Sequence, residues 1–240
     1  MTFRGDRYVK LPDSEDVAES VRHFARSLDH PYSMDERMAK RLMVQEMRPE
    51  LVDLLPVWEG SPYRVLDVGA GPASTVGTMI GGKSIVRLAA VDALAGPYNE
   101  MLAARGIDPP APTTFAVAEA LDLSFPEDFF DMVHCENGVD HFHNPLEAIR
   151  QMIRVVKPEC WVHLEMYERS GSGSGPTDVF HQHDFWLDGV DSRPIFQSRG
   201  DDLIDLRNII GATLEWRTSM RKNGRGSLPV VVIQIRKRKV

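Results

Sequence analysis

The run Tyr63-Arg64-Val65-Leu66-Asp67-Val68, followed at once by Gly69-Ala70-Gly71, constrains this chain more than any other feature. A short, nearly unbroken apolar run bounded by a turn signal fits a strand buried on both faces. Gly69 and Gly71 supply a turn that can take positive φ and carries no Cβ, so a ligand can lie against its backbone N–H groups. Pro72 suits a first helical position, and a helix is expected over 73–81. Strand, glycine turn and helix in this order form the ligand-holding corner of a doubly wound α/β sheet.

The rest of the pattern extends that sheet. Strands are expected at 63–68, 87–92, 113–117, 131–135 and 161–166, alternating with helices at 97–105 and 145–156. Such alternation specifies parallel strands with right-handed crossovers. Asn144 followed by Pro145 is an N-terminal cap signal for the last of those helices. The end of the chain differs: helix 201–210, then strands 213–221 and 229–237 around a glycine-rich turn at 223–226, which forces antiparallel pairing. Upstream, Val17, Val21, Phe24 and Leu28 predict a helix over 13–28, and a second helix is expected from Ser33 to Leu55, stopped by Pro56. The domains expected are a helical extension over 1–58 and an α/β domain over 59–240.

The cofactor can be narrowed from the turn. A dinucleotide fingerprint reads G-x-G-x-x-G, but Ser74 occupies the third glycine position. Asp67, two residues before the first glycine, would repel a diphosphate and suit a cofactor bearing an ammonium and a sulfonium. A second strand, Leu88-Ala89-Ala90-Val91-Asp92, ends in a carboxylate 21 positions after Gly71, where both hydroxyls of a ribose can be accepted.

With these residues in place, the chain resembles the class I S-adenosylmethionine-dependent methyltransferases of small-molecule type. The likeness rests on Val65-Leu66-Asp67-Val68-Gly69-Ala70-Gly71, on Val91-Asp92, on the segment Ala118-Glu119-Ala120-Leu121-Asp122 through Phe130-Asp131, and on Arg154-Val155-Val156-Lys157-Pro158. It covers about residues 60–166; where the family continues Gly-Gly, this chain has Glu159-Cys160. The resemblance implies a seven-stranded, mostly parallel Rossmann-like sheet with a C-terminal antiparallel hairpin, and S-adenosyl-L-methionine as cofactor. It implies that Glu119 accepts from the adenine amino group and that the Ala120 N–H meets the ring. The expected cofactor-binding set is Asp67, Gly69, Ala70, Gly71, Asp92, Ala93, Glu119, Ala120 and Glu136.

Methyl transfer mainly requires alignment of two reactants and exclusion of water. Ser170-Gly171-Ser172-Gly173-Ser174-Gly175 has the composition of a flexible hinge. It leads to Phe180, His181, His183, Asp184, Phe185 and Trp186, so a lid over 168–195 is expected, with a surface loop as the plain alternative. If the acceptor must lose a proton, His141, His181 and His183 are the candidate bases, Asp140 orienting His141. Neither His-x-His pair has the i, i+4 spacing of a helical metal site, and no metal is assigned.

Composition bounds the remaining choices. Net charge is −7, yet residues 218–240 hold seven basic side chains and no acids. That basic end fits either a solvated edge or a docking surface for RNA or protein. The strand ending Cys135-Glu136-Asn137-Gly138 lacks the motif of amino-methylating DNA enzymes, so nucleic acid is disfavoured as acceptor. No apolar stretch approaches the roughly 18 residues of a membrane span, and the first residues lack a signal-peptide core. Cys135 and Cys160 read as packing residues in a cytoplasmic protein. The reading is thus an enzyme that methylates a small acceptor, most readily on oxygen, as a single chain or a homodimer. An inactive partner subunit of the same fold is the alternative from another class.

Overall fold

The computed structural model describes residues 14–29, 42–43, 45–111, 113, 115–116, 123–173, 181, 183–198, 200–211, 214–222 and 228–239. Its centre is a seven-stranded sheet in the order β3-β2-β1-β4-β5-β10-β9. These strands are β1 (Tyr63–Val68), β2 (Val86–Asp92), β3 (Phe115–Ala116), β4 (Phe130–Glu136), β5 (Val156–Tyr167), β9 (Glu215–Arg221) and β10 (Val230–Arg236). The first five pair in parallel, whereas β10 runs antiparallel to both β5 and β9. This is the Rossmann-like sheet with a terminal hairpin that the resemblance implies, its parallel part as the alternation predicts.

The two faces of the sheet differ because side chains alternate along each strand. One face presents Leu66, Val68, Val133, Cys135, Val162, Leu164, Val231, Ile233 and Ile235, all buried in one core. Helix α4 (Pro145–Val155) lays Leu146, Ala148, Ile149, Met152 and Val155 into that core. Each fully buried aliphatic side chain there contributes about 1.5–3 kcal/mol. The helix begins where expected: the Asn144 side chain accepts from the Glu147 N–H at 3.1 Å, and Pro145 follows the cap.

The opposite face is apolar only in its lower half. Val65, Met132 and Trp161 pack with Met47, Leu51 and Leu54 from helix α2 (Pro49–Val52) and its flanks. Higher up, the registers Asp67↔His134, His134↔His163, His163↔Gln234 and Gln234↔Arg217 set five polar residues in one row across five strands.

Several expected elements differ. Residues 73–81 form turns and isolated bridges, not a helix. Gly77, Gly81 and Gly82 hold φ values of 88°, 57° and 73°, and Thr75, Val76, Thr78 and Ile80 add β-branched residues of low helix propensity. Gly77 also lies against residue 46: a Cβ there would stand 2.7 Å from the Glu46 carbonyl. That contact accompanies pairing of Met47 and Gln45 with Met79 and Thr78, so residues 45–48 are extended and break the helix expected over 33–55. Only Pro49–Val52 and residues 42–43 of that stretch are helical among the described residues. Helix α1 (Ser14–Asp29) forms as predicted and docks on α3 (Ala95–Ala103), with Phe24 edge-on to Tyr98 at 5.3 Å.

The region expected as a hinged lid is built differently. Ser170–Gly173 is a short helix, α5, and β6 (His183–Asp188), β7 (Arg193–Ser198) and β8 (Ile204–Asp205) make a second, antiparallel sheet. Phe185, Phe196 and Leu206, the last from helix α6 (Leu206–Ile210), join the main core. Gly171 packs so closely on the His183 carbonyl that a Cβ would meet it at 3.0 Å. Composition suggests flexibility at 170–173, but tertiary packing overrides it there. Residues 174–180 lie outside the described residues.

Candidate active site

The glycine turn at the carboxyl end of β1 is held against β2. Gly69 and Ala70 both donate to the Val91 carbonyl, at 2.9 and 3.1 Å, and Gly71 donates to Asp92 Oδ2 at 2.9 Å. Asp92 Oδ1 accepts from the Leu94 N–H at 2.8 Å. The expectation of free amide groups facing a ligand is therefore corrected: these three N–H groups turn inward. A diphosphate would find neither loop donors nor a helix N-terminus here, because both the nest and the helix dipole are missing. Asp92 thus accepts one backbone amide on each carboxylate oxygen.

Asp67 is buried and does not face solvent. Its Oδ1 accepts from His134 Nδ1 at 2.7 Å. Arg48, which can only donate, reaches His134 Nε2 at 3.0 Å. The His134 proton is thus assigned to Nδ1, and the ring is neutral. Arg48 also grips Glu165 Oε1 at 3.0 Å, and Arg221 donates to Glu165 Oε2 at 2.6 Å. His163 Nε2 donates to Glu165 at 2.8 Å while its Nδ1 accepts from Gln234. Burial pushes the His163 pKa down, so it too is neutral. For Glu165, burial opposes ionisation, but the His163 hydrogen bond and the Arg48 charge outweigh it and hold the carboxyl well below its ordinary range. Arg48 stays above its ordinary value because Glu165, Glu136 and Glu50 outweigh its own burial.

At the end of β4, Glu136 accepts from the Thr75 hydroxyl at 2.7 Å. A tight turn follows, with a single 3₁₀ turn at Val139–His141. It packs on the glycine loop: a Cβ on Gly69 would stand 3.3 Å from both Gly138 Cα and the Phe142 ring. Within that turn Asp140 is fully buried and accepts from the Ser170 hydroxyl through Oδ2 at 2.7 Å. His141 Nε2 lies 3.8 Å from the other oxygen, Oδ1, and the His141 and His181 rings are 4.5 Å apart.

The sequence-derived residues therefore separate into groups. Asp67, Gly69, Ala70, Gly71, Asp92, Ala93 and Glu136 gather at the carboxyl edge of β1, β2 and β4. Glu119 and Ala120 lie outside the described residues. His141 and His181 come together beside Asp140. His183 does not join them as a base: its Nε2 bonds the Phe142 carbonyl at 2.7 Å and its Nδ1 bonds the Ser198 hydroxyl at 3.0 Å. Burial lowers its pKa, and it ties the second sheet to the β4 turn. Trp186 is likewise buried, beneath the Arg169 guanidinium at 4.1 Å, and is not a lid contact.

Sequence reading missed Arg48 and the His134–His163–Glu165 row. The signal was available, since His134 and Glu136, and His163 and Glu165, sit two apart in or beside the apolar runs 132–135 and 161–166. It also missed that two clusters of side chains with metal-ligand chemistry come together without helical spacing. His134, His163 and Glu165 offer atoms within 4.8 Å of one another, as do Asp140, His141 and His181. Arg48 sits in the first group as its cation. The cysteines are packing residues: burial and then Asp67 push the Cys135 thiol well up, and burial and then Asp131 push Cys160 up to about 11.

Residues 66–164 match the family described as Methyltransferase domain. The fold is shared with NodS, an N-methyltransferase from Bradyrhizobium japonicum WM9 in complex with S-adenosyl-L-homocysteine. The TM-score is 0.53 at 12% identity, covering 92% of this chain and 99% of that one. A chain of the Haloferax volcanii complex between the Trm112 methyltransferase activator and a methyltransferase matches with a TM-score of 0.56 at 14% identity, covering 96% and 99%.

Proposed function

We propose, from the premise that this chain carries a class I S-adenosylmethionine-dependent methyltransferase domain, that it transfers the methyl group to an oxygen of a small-molecule acceptor. The observation that carries the reading is the glycine loop itself. Its amides turn toward Val91 and Asp92, which leaves carboxylates, not N–H donors, around the ligand. That environment favours a cofactor with an ammonium, a sulfonium and a ribose over one with a diphosphate.

Asp92 accepts the ribose hydroxyls, and Glu136 lends negative potential where the sulfonium lies. Asp67 acts behind the loop, holding His134 and through it Arg48. The turn at 138–142 packs on Gly69, so His141 and His181 stand beside the reacting methyl. The acceptor oxygen attacks the methyl carbon in line with the departing sulfur, and the imidazole pair takes the hydroxyl proton.

A small acceptor is favoured over RNA because three of the described basic residues near the C-terminus are paired with carboxylates. Arg221 pairs with Glu165, Arg236 with Glu215 and Glu159, and Lys237 with Asp128. No helix among the described residues is long and apolar enough to cross a membrane.

The test is transfer of a labelled methyl group from the cofactor to a panel of hydroxylated small molecules, primary amines, total RNA and bulk protein. Label in base-stable ethers of hydroxylated acceptors is the expected result. Label confined to RNA or protein would contradict the small-molecule reading.

A further inference from the structure

Asp140, His141 and His181 together have a property that an acid–base pair does not require. Asp140 is fully buried, and its Oδ1 has no hydrogen-bond partner among the described residues. A buried, unpartnered carboxylate oxygen has lost its water without a replacement partner, which is unfavourable. A ligand that meets this oxygen would remove that penalty.

We propose that these three side chains bind a divalent transition-metal ion. One atom from each lies within 4.8 Å of the other two, and the Asp140–His141 pair is already at 3.8 Å. Ligands of a tetrahedral ion at bonds of about 2.0 Å stand roughly 3.3 Å apart, so rotation of the two partly exposed rings closes the site. Ser170 fixes the carboxylate through its other oxygen, as outer hydrogen bonds do around metal ligands. Two imidazoles and one carboxylate suit zinc, cobalt, nickel or iron(II) better than magnesium, which prefers an all-oxygen shell. The other triad differs: Arg48 donates to both His134 Nε2 and Glu165, and its fixed positive charge opposes a second cation.

The inference deepens the proposed function and rests on it for the position beside the acceptor. Three protein ligands leave a coordination position open. With the ion bound, His141 and His181 would serve as ligands in place of the base role given above; an acceptor hydroxyl in the open position would be acidified by the ion and release its proton to solvent water. Metal binding itself stands on the three side chains alone.

The experiment titrates chelator-treated full-length protein with Co(II), following visible absorption and heat. One equivalent should bind with bands of a nitrogen-and-oxygen, low-coordinate site. His141→Ala and His181→Ala should each weaken binding on the order of a hundredfold, with circular dichroism unchanged. His163→Gln should leave Co(II) binding as it is. The proposal is overturned if the wild-type chain gives no band, if the double histidine variant binds as the wild type does, or if only His163→Gln abolishes binding. S-adenosylhomocysteine titrated into the metal-free protein separates the readings, because its binding tests the cofactor site without the metal.

Discussion

At the scale of single residues, the consequences follow from where charge and backbone freedom are held. Asp92→Ala removes the acceptor that fixes the Gly71 amide and that the proposed function assigns to the ribose. Lost charge-assisted hydrogen bonds of about 1.5–3 kcal/mol predict a tenfold to hundredfold weaker S-adenosylhomocysteine affinity by calorimetry, and an unchanged affinity would remove Asp92 from that role. Glu159 stands where the resemblance leads one to expect glycine, and it holds φ at 65°. A left-handed conformation costs an L-residue about 1–2 kcal/mol, while its partners Arg236 and Lys239 are at the surface. Glu159→Gly is expected to raise the urea midpoint, by about 0.5–1 kcal/mol of stability after the entropy of glycine is deducted. The buried histidines give a signed pH dependence. His163 and His183 have folded pKa values below the ordinary 6.5, so the unfolded chain binds more protons than the native one between those values and 6.5. Stability should therefore fall as pH drops below 6.5. It should fall again below 4.5, where the unfolded Glu165 carboxyl takes up a proton that the native one refuses. His163→Gln, which retains a donor toward Glu165, should flatten the upper step in pH-dependent urea denaturation; an unaltered slope would mean the ring is not the group responsible.

At the scale of elements, what the sequence made legible is what local pattern controls. β1, β2, β4 and β5 announce themselves by apolar runs, and α4 by its period and its Asn144-Pro145 cap. The capping bond is present, and Asn144→Ala should lower stability by about 1 kcal/mol. The failures share one cause, in that distant contacts decide the local conformation. The stretch 73–81 has a proline start and looked helical, but Gly77 must lie flat against Glu46 and the β-branched residues favour extension. The Gly-Ser run at 170–173 looked like a hinge, but Gly171 is needed for close approach to His183, and Ser170 is the hydrogen-bond donor to Asp140. Trp186 looked like a lid residue because aromatics cluster around it, whereas it fills space under Arg169. Trp186→Ala should thus lower stability by about 3–5 kcal/mol and leave the ratio of acceptor to cofactor affinity unchanged; a selective loss of acceptor affinity would restore the lid. Of the site, the acidic edge was readable because Asp67 and Asp92 end their strands. The Arg48 network was not, since Arg48 meets Glu165 across a sequence separation of 117.

At the scale of the whole molecule, one sheet has two chemistries. Its apolar face, α4 and the second antiparallel sheet form the core that fixes the strands. Its other face carries the row from Asp67 to Arg217, in which Asp67 is held by His134, Glu165 is paired with Arg48 and Arg221, and Arg217 is paired with Glu215. At the carboxyl edge above that row, the glycine loop and the 138–142 turn touch through Gly69, which brings the proposed cofactor and acceptor sides into contact. The central claim is that this edge holds a cationic thioether nucleoside. Isothermal calorimetry of the full chain with S-adenosylhomocysteine, run beside NADH, tests it most directly. A single saturable site for S-adenosylhomocysteine, lost in Asp92→Ala, with no heat from NADH, is the expected result; heat from NADH with none from S-adenosylhomocysteine would contradict the account.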